Sequence, residues 1–559
     1  MQEYVLTGSQ IRSLARGPGD ADAIALLTDA QLSRRRLFLL AAAERPAARS
    51  PDFRAVLTLV GAIDRQAPAA GRDLLRHPFL ETWFAGVASD VTGESTSYLG
   101  PLAAATAARA GIGFELTLTI ADTDLVLPGL GVAIGVGEGR LSLWSDGSQL
   151  RVAGEMRSVT VPAPFTAGTE SWRPAFYVRL PALRLEVDDV DPLRGRFPEP
   201  PLDRIPPDEL AQLGRSLGAA WDLLAAEQPA YAAGIRIALR TVVPLRTPAN
   251  GSQVSASGRN CFGAIGLSPT DDPVALAELL LHESRHQTLD ALLDLVELCR
   301  ADGPARYHAP WRSDPRPADA LMQGVYAFAG VAGFWRVRRR QLAGAAARQA
   351  DFSFAYWREQ VEFALAELLG SDELTDIGLE FFTELDSVLK GWREESEAAQ
   401  AAWQSAVAAR IAWRLAHHRV DQAQTEALSR AWRRGDQHAR RLGEPSIVAG
   451  SPPEMRLSLL LREAWLAGTA KTVAGTTRER MLLAGDVAWA ARMPEHPRTT
   501  RDWIEVATAL TINVEHGDMA AHRRPELLRA VFDEVKEDGR AQDLIALDRW
   551  LTGAPTPGR

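Results

Sequence analysis

At 559 residues the chain is too long for one ordinary hydrophobic core, and roughly two to four domains are expected. A composition of 46% hydrophobic and 24% charged residues is globular, and a net charge of -9 without a basic stripe argues against a nucleic-acid surface. Two cysteines, Cys261 and Cys299, are too few for a disulfide framework or a zinc knuckle. Met1-Gln2-Glu3-Tyr4 lacks the features of a signal peptide, and the apolar run Leu37 to Ala43 is too short to span a bilayer. A cytoplasmic protein without nucleic-acid or membrane partners is the expectation.

In chain order, residues 1–112 read as a helical N-terminal region, with segments after Thr28-Asp29 and from Pro51 to Ala62. Residues 113–207 read as β-rich. Phe114 to Ile120 alternates with period two, Leu125 to Val136, Leu141 to Trp144 and Phe176 to Val187 follow, and Asp146-Gly147 marks a hairpin. Asp188-Asp189-Val190-Asp191 lacks the Gly and distal Glu of a calcium loop and reads as a solvated turn. The Pro-rich segment Phe197 to Pro207 then suggests a boundary. Next come a helix with Trp221 and Leu223 on its apolar face, a strand over Ile235 to Val243 and another over Ser255 to Leu267. Residues 208–345 are taken as the core that carries the chemistry, followed by helical regions 346–445 and 446–559.

The chain is organised around His282-Glu283-Ser284-Arg285-His286. Asp272 is a good N-cap, Pro273 fits the first helical position, and Val274 to Cys299 runs without Gly or Pro. Residues four apart share a helix face, so His282 and His286 can reach one metal ion, with Glu283 close enough to act on a bound water. Ala275, Leu279, Leu289, Asp290 and Leu293 lie on the same face, which is therefore expected to point inward. The bland alternative is a pair of core histidines satisfied by neighbours. Strand, short turn, then histidine helix is the order of a zincin-type catalytic domain, whose strand edge can receive an extended peptide. The fold expected is α+β, mainly α: a zincin-like metal-binding core, a β-rich N-terminal insert region and a helical C-terminal part.

Beyond the helix, three prolines stiffen an irregular arm from Tyr307 to Pro317. Asp319 to Leu342 then reads as an apolar helix whose Gly324, Gly330 and Gly333 imply close backbone approach, with the histidine helix as the expected neighbour.

Four stretches together carry a resemblance. They are Ser255-Ala256-Ser257 with Phe262-Gly263-Ala264, the histidine helix continuing through Asp290 to Leu295, Ala309-Pro310-Trp311-Arg312-x-Asp314-Pro315-Arg316-Pro317, and Gln323 to Phe328. Over about residues 235 to 345 the chain resembles the 2-oxoglutarate-dependent HExxH-type peptide β-hydroxylases of bacterial peptide natural-product clusters, and Arg524-Pro525-Glu526-Leu527 also looks familial. The resemblance implies an oxidoreductase of the dioxygenase kind. It would use iron(II), 2-oxoglutarate and dioxygen to hydroxylate a β-carbon in a ribosomally made precursor peptide.

Neutral imidazoles of His282 and His286 suit iron(II) as well as zinc. For a third ligand, Gln323 is the first candidate, because it lies early on the glycine-bearing helix, and His308 is its rival. An amide oxygen is neutral and would leave the full double charge of iron to bind a dianionic 2-oxoglutarate. Arg312 or Arg316 can present a planar guanidinium to the distal carboxylate of that cosubstrate, the alternative being an ordinary ion pair to Asp302 (which lies outside the described residues), Asp314 or Asp319. Asp290 is placed to orient His286 or pair an arginine. Trp311 and Tyr326 are drawn to the site by position, although a tyrosine at helical spacing more often belongs to the core. Two competing functions remain open. One is a zinc metallopeptidase with Glu283 as general base, although no familiar downstream zinc-ligand pattern follows the motif. The other is a non-catalytic peptide-binding partner.

Overall fold

The computed structural model describes residues 4–45, 50–89, 98–249, 251–300, 303–439, 442–450, 452–467, 476–484, 497–513, 520–536 and 544–552. Over these residues the fold is α+β and mainly helical, and it divides into two compact units, Met1–Val296 and Glu297–Arg559. That division falls inside the segment 208–345.

The first unit opens with six helices: α1 Gly8–Arg16, α2 Ala21–Ala43, α3 Pro51–Gln66, α4 Pro68–Leu75, α5 Leu80–Ser89 and α6 Leu99–Arg109. Thr7, Asp20 and Ser50 cap the first three by accepting backbone N–H groups, and prolines occupy the first position of α3 and α4. Helix α6 is rich in Leu and Ala and is buried from Leu99 to Ala108.

The β-rich region supplies nine strands: β1 Phe114–Ile120, β2 Leu125–Leu127, β3 Gly131–Ala133, β4 Gly139–Ser145, β5 Gln149–Ala153, β6 Ser158–Pro162, β7 Trp172–Pro174, β8 Phe176–Leu180 and β9 Leu183–Val187. An antiparallel sheet has the order β1-β4-β5-β6, and a smaller one β2-β3-β7. The β4–β5 hairpin turns at Asp146-Gly147 as expected, with the Asp146 carboxylate accepting from Ser148 and Gln149 N–H and Gly147 at φ 91°.

The remaining elements of the unit are α7 Pro207–Glu227, α8 Pro229–Ala238, β10 Thr241–Pro244, β11 Ser255–Ala256, β12 Ala264–Leu267 and α9 Pro273–Leu293. They complete a mixed sheet of order β11-β12-β10-β9-β8, in which β9, β10 and β12 run parallel and the two outer strands antiparallel. Strands β10 and β12 are buried at every residue, as parallel strands covered on both faces must be.

Three expectations are corrected in this unit. Ile235 to Ala238 is the end of a helix and not the start of a strand, because Pro229 starts a helical turn and a short apolar run carries no period that separates the two. Ser255 to Leu267 is two short strands around a loop instead of one. The acidic run is not solvated: Asp188, Asp189 and Asp191 are buried and accept backbone N–H groups from Val190, Ile205 and Leu193, and Asp189 also pairs with Arg173.

Among its described residues the second unit is helical apart from one strand pair, β13 His418–Arg419 with β14 Ser446–Ile447. Its larger helices are α10 Ala318–Arg338, α11 Gly344–Leu369, α12 Asp376–Lys390, α13 Glu397–His417 and α14 Gln422–Arg434, followed by shorter ones to Leu544–Thr552. Helix α10 packs on α11 and α11 on α13. Glu526, in the Arg-Pro-Glu-Leu stretch, accepts both a Nε and a terminal N–H bond from Arg414 at 3.1 and 2.6 Å. The close approach served by the glycines of α10 is to tryptophans of this unit: a Cβ at Gly324 would overlap the Trp311 indole, and one at Gly333 would press on Trp392. Among the described residues no helix is long and apolar enough to cross a membrane.

Candidate metal centre

Helix α9 starts where expected. The Asp272 carboxylate accepts from Val274 N–H at 2.8 Å, and Pro273 takes the first helical position. It ends at Leu293, although the sequence runs on to Cys299 without Gly or Pro, because the chain leaves it for other partners. The Asp294 carboxylate accepts from Gln31 Nε2 at 2.8 Å and pairs with Arg34, and Cys299 bridges to Leu374 within the second unit.

Three side chains fix the rotation of α9. Gln287 accepts from Gly263 N–H at 3.2 Å and donates to Ala264 C=O, so one amide joins the helix to the start of β12. Gly263 holds φ 96° there, a conformation that a glycine adopts freely. Arg285, fully buried, donates to the Gly17 carbonyl and lies 5.9 Å from the Tyr231 ring. Ser255, on the edge strand β11, donates to Glu283 Oε1 at 2.6 Å.

The histidines end up together. His282 Nε2 and His286 Nε2 are 3.2 Å apart, with rings inclined at 82°. An ion about 2.1 Å from each nitrogen would subtend about 100° between them, lying between the ~90° of octahedral and the ~109° of tetrahedral coordination. Burial, reinforced by the neighbouring His286, holds His282 well below the usual histidine range, in the neutral form that a ligand requires. Glu283 is 2% exposed, and its Oε1 lies 4.0 Å from His282 Nε2. The expectation that the histidine face points inward holds only in part. Both histidines are half-buried, while Glu283, Arg285 and Gln287 are buried, because α9 is covered from several sides. Asp290, one turn beyond His286, is half-buried.

The other expected site residues belong to the second unit. Gln323 is half-buried in the first turns of α10. Tyr326 is fully buried and packs against Phe381, a core position. Trp311 stacks on Phe328 at 4.7 Å. Arg312 and Arg316 both turn to Asp314, at 3.5 and 3.1 Å. Paired backbone bonds of 2.9 Å between Tyr307 and Arg316 close the arm. His308 is not solvent-facing: it is buried, its ring stacks on Trp413 at 4.5 Å, and burial with the charges of Arg410 and Arg414 drives its pKa far down.

Among the described residues no group of three or more His, Cys, Asp or Glu side chains gathers at metal-binding spacing. Ser255, Arg285 and Gln287 went unassigned from sequence. Only the position of Gln287, directly after the second histidine, and of Ser255, in a motif stretch, pointed toward them. No protein-family model matches the chain, and no curated protein matches it either.

Proposed function

We propose that this protein is a cytoplasmic iron(II)- and 2-oxoglutarate-dependent oxidoreductase that hydroxylates a β-carbon of a ribosomally made precursor peptide, on a zincin-like core. The observation that carries the metal half of this reading is the 3.2 Å approach of two imidazole nitrogens on one helix face. The cosubstrate and the peptide are carried by the sequence resemblance over residues 235 to 345.

His282 and His286 would hold the metal, and Gln323 is kept as third ligand on the sequence argument alone. Bound iron, with 2-oxoglutarate and dioxygen, supplies the oxidising power for the hydroxylation. The chain's own residues do the rest. Gln287 and Arg285 prevent α9 from rotating, so the two nitrogens stay convergent. Glu283, held by Ser255, orients groups beside the metal. Strand β11 is the outer strand of its sheet, so its free edge offers main-chain hydrogen bonds to an extended peptide beside Glu283. Arg312 or Arg316 would exchange Asp314 for the distal carboxylate of 2-oxoglutarate.

A zinc peptidase is favoured by one observation: the Glu283 carboxylate lies 4.0 Å from His282 Nε2, in reach of a metal-bound water. Product mass separates the two. Protein prepared anaerobically and given iron(II), 2-oxoglutarate and a precursor peptide is expected to yield an intact peptide heavier by one oxygen atom, with succinate. Cleaved peptide formed with zinc and without 2-oxoglutarate would overturn the hydroxylase in favour of the peptidase.

A further inference from the structure

A second concave site lies in the first unit, between the β8–β9 end of the mixed sheet and the C-terminal ends of α4, α6 and α8. It encloses about 540 Å³, the size of a small-molecule site. Its wall carries five arginines, Arg76, Arg109, Arg184, Arg236 and Arg240. Among the described residues none of the five has a carboxylate partner within ion-pair distance, although salt bridges abound elsewhere in the unit.

Helix capping explains one of these arginines, since all the bonds of Arg240 go to carbonyls at the end of α8, those of Arg236, Ile237 and Leu239. Arg109 bonds instead to the Gly129 carbonyl at 2.8 Å, in the turn between β2 and β3, and to the Tyr177 hydroxyl at 3.3 Å. Capping does not explain the others. Arg76 Nε is buried without a hydrogen-bond partner. Arg184 stands on a strand, its guanidinium 3.6 Å above the Tyr177 ring. Arg236 is exposed at the cavity and makes no side-chain bond.

The charges decide the point. Three helix C-termini contribute about -0.5 each, or about -1.5 together. Asp73 adds one negative charge, and the only other acid in the wall is Glu186. Burial, with Asp188 close by, pushes Glu186 up to about 8, so it is largely neutral at pH 7. Five positive charges less these leave an excess of about +2.5. Burial and the neighbouring charge of Arg76 bring even Arg240 down to about 10. Such an excess over a half-enclosed cavity is balanced by an anionic ligand.

We propose that this cavity binds a small polyanion, a molecule with at least two anionic groups of the phosphate or carboxylate kind, through Arg76, Arg184 and Arg236. Guanidinium forks suit both oxygen geometries. The site is independent of the metal-centre reading, since its residues all lie on other elements.

The test is calorimetric titration of the full chain, with EDTA present at about 0.1 M salt, using pyrophosphate as the phosphate probe and citrate as the carboxylate probe. At least one is expected to bind saturably at one site per chain, and the stronger binder names the source. The double variant R184A/R236A removes two exposed charges, and its affinity is expected to fall at least ten-fold. Ala182→Asp places a negative charge in the same wall, where φ is 58° and Asp is well accommodated, so binding is expected to fall similarly with an unchanged melting temperature. The control R151A/R157A, on the β5–β6 hairpin, should bind as the parent does. Absence of saturable binding by both probes would overturn the proposal, as would parental affinity in either R184A/R236A or Ala182→Asp.

Discussion

Helices α9 and α10 are both 21 residues long and both rich in apolar residues, yet each is held in its unit by a different kind of contact. Helix α9 is pinned by polar side chains that reach backbone groups: Asp272 at its start, Arg285 to Gly17, and Gln287 to Gly263 and Ala264. Helix α10 is held by shape, with Gly324 beneath the Trp311 indole, Trp311 stacked on Phe328 and Phe328 stacked in turn on Trp357. Directional bonds set rotation about the helix axis, which a pair of metal ligands requires. Aromatic packing over glycine sets depth and tolerates rotation less sharply. The first helix therefore has its rotation fixed by directional bonds, and the second has its depth fixed by packing.

The sharpest break falls on the pair that α9 presents. His282→Ala and His286→Ala are each expected to abolish stoichiometric iron binding while far-ultraviolet circular dichroism stays that of the parent, because both rings are half-buried and lie outside the packed core. Full metal occupancy in either variant would remove the centre as described.

The next effect belongs to α10. In an open helix Gly→Ala stabilises by about 1 kcal/mol. Gly324→Ala is expected to reverse that sign and destabilise the protein by about 1–3 kcal/mol in denaturant unfolding, since the new methyl meets the Trp311 ring. A second change, Trp311→Leu, should recover much of the loss, and a stabilised single variant would contradict the packing account.

For α9 the matching change is Gln287→Ala, which leaves Gly263 N–H and Ala264 C=O without their amide partner. A cost of about 1–2 kcal/mol is expected, together with metal affinity reduced about ten-fold through loosened helix rotation. Parental metal affinity in this variant would show that the amide does not position the histidines.

The smallest effect is a pH slope from buried titratable groups of the first unit. Burial, with Asp188 adding to it, pushes Glu186 and Asp191 each up to about 8, while burial with Arg109 takes His77 down to about 3. The raised carboxyls hold protons that the unfolded chain has already released, so their stability is present at low pH and is lost as pH rises toward 8. The depressed His77 acts in the opposite direction but only below about 6.5, where the unfolded chain takes up a proton that the folded one refuses. Between about 6.5 and 8 only the carboxyls act, and stability should fall by up to about 1.4 kcal/mol per pH unit for each proton. Glu186→Gln should flatten that fall, and an identical slope in parent and variant would refute the assignment.

Sequence alone determined the local features of this protein. The Asp272-Pro273 start of α9, the placing of His282 and His286 on one face, the Asp146-Gly147 hairpin and the helical C-terminal part all follow from interactions within a few residues. Periodicity and capping chemistry report such interactions directly. Tertiary structure decided what depends on distant partners. Burial of the Asp188–Asp191 run rests on backbone donors as far away as Ile205 and on Arg173. The indole over Gly324 comes from an irregular arm, the hold of Gln287 comes from the start of another strand, and five arginines reach one cavity from three separate elements, the cap of α4 and the segment before β10. None of these has a period or a spacing, because burial and charge compensation are properties of the neighbours that folding brings together.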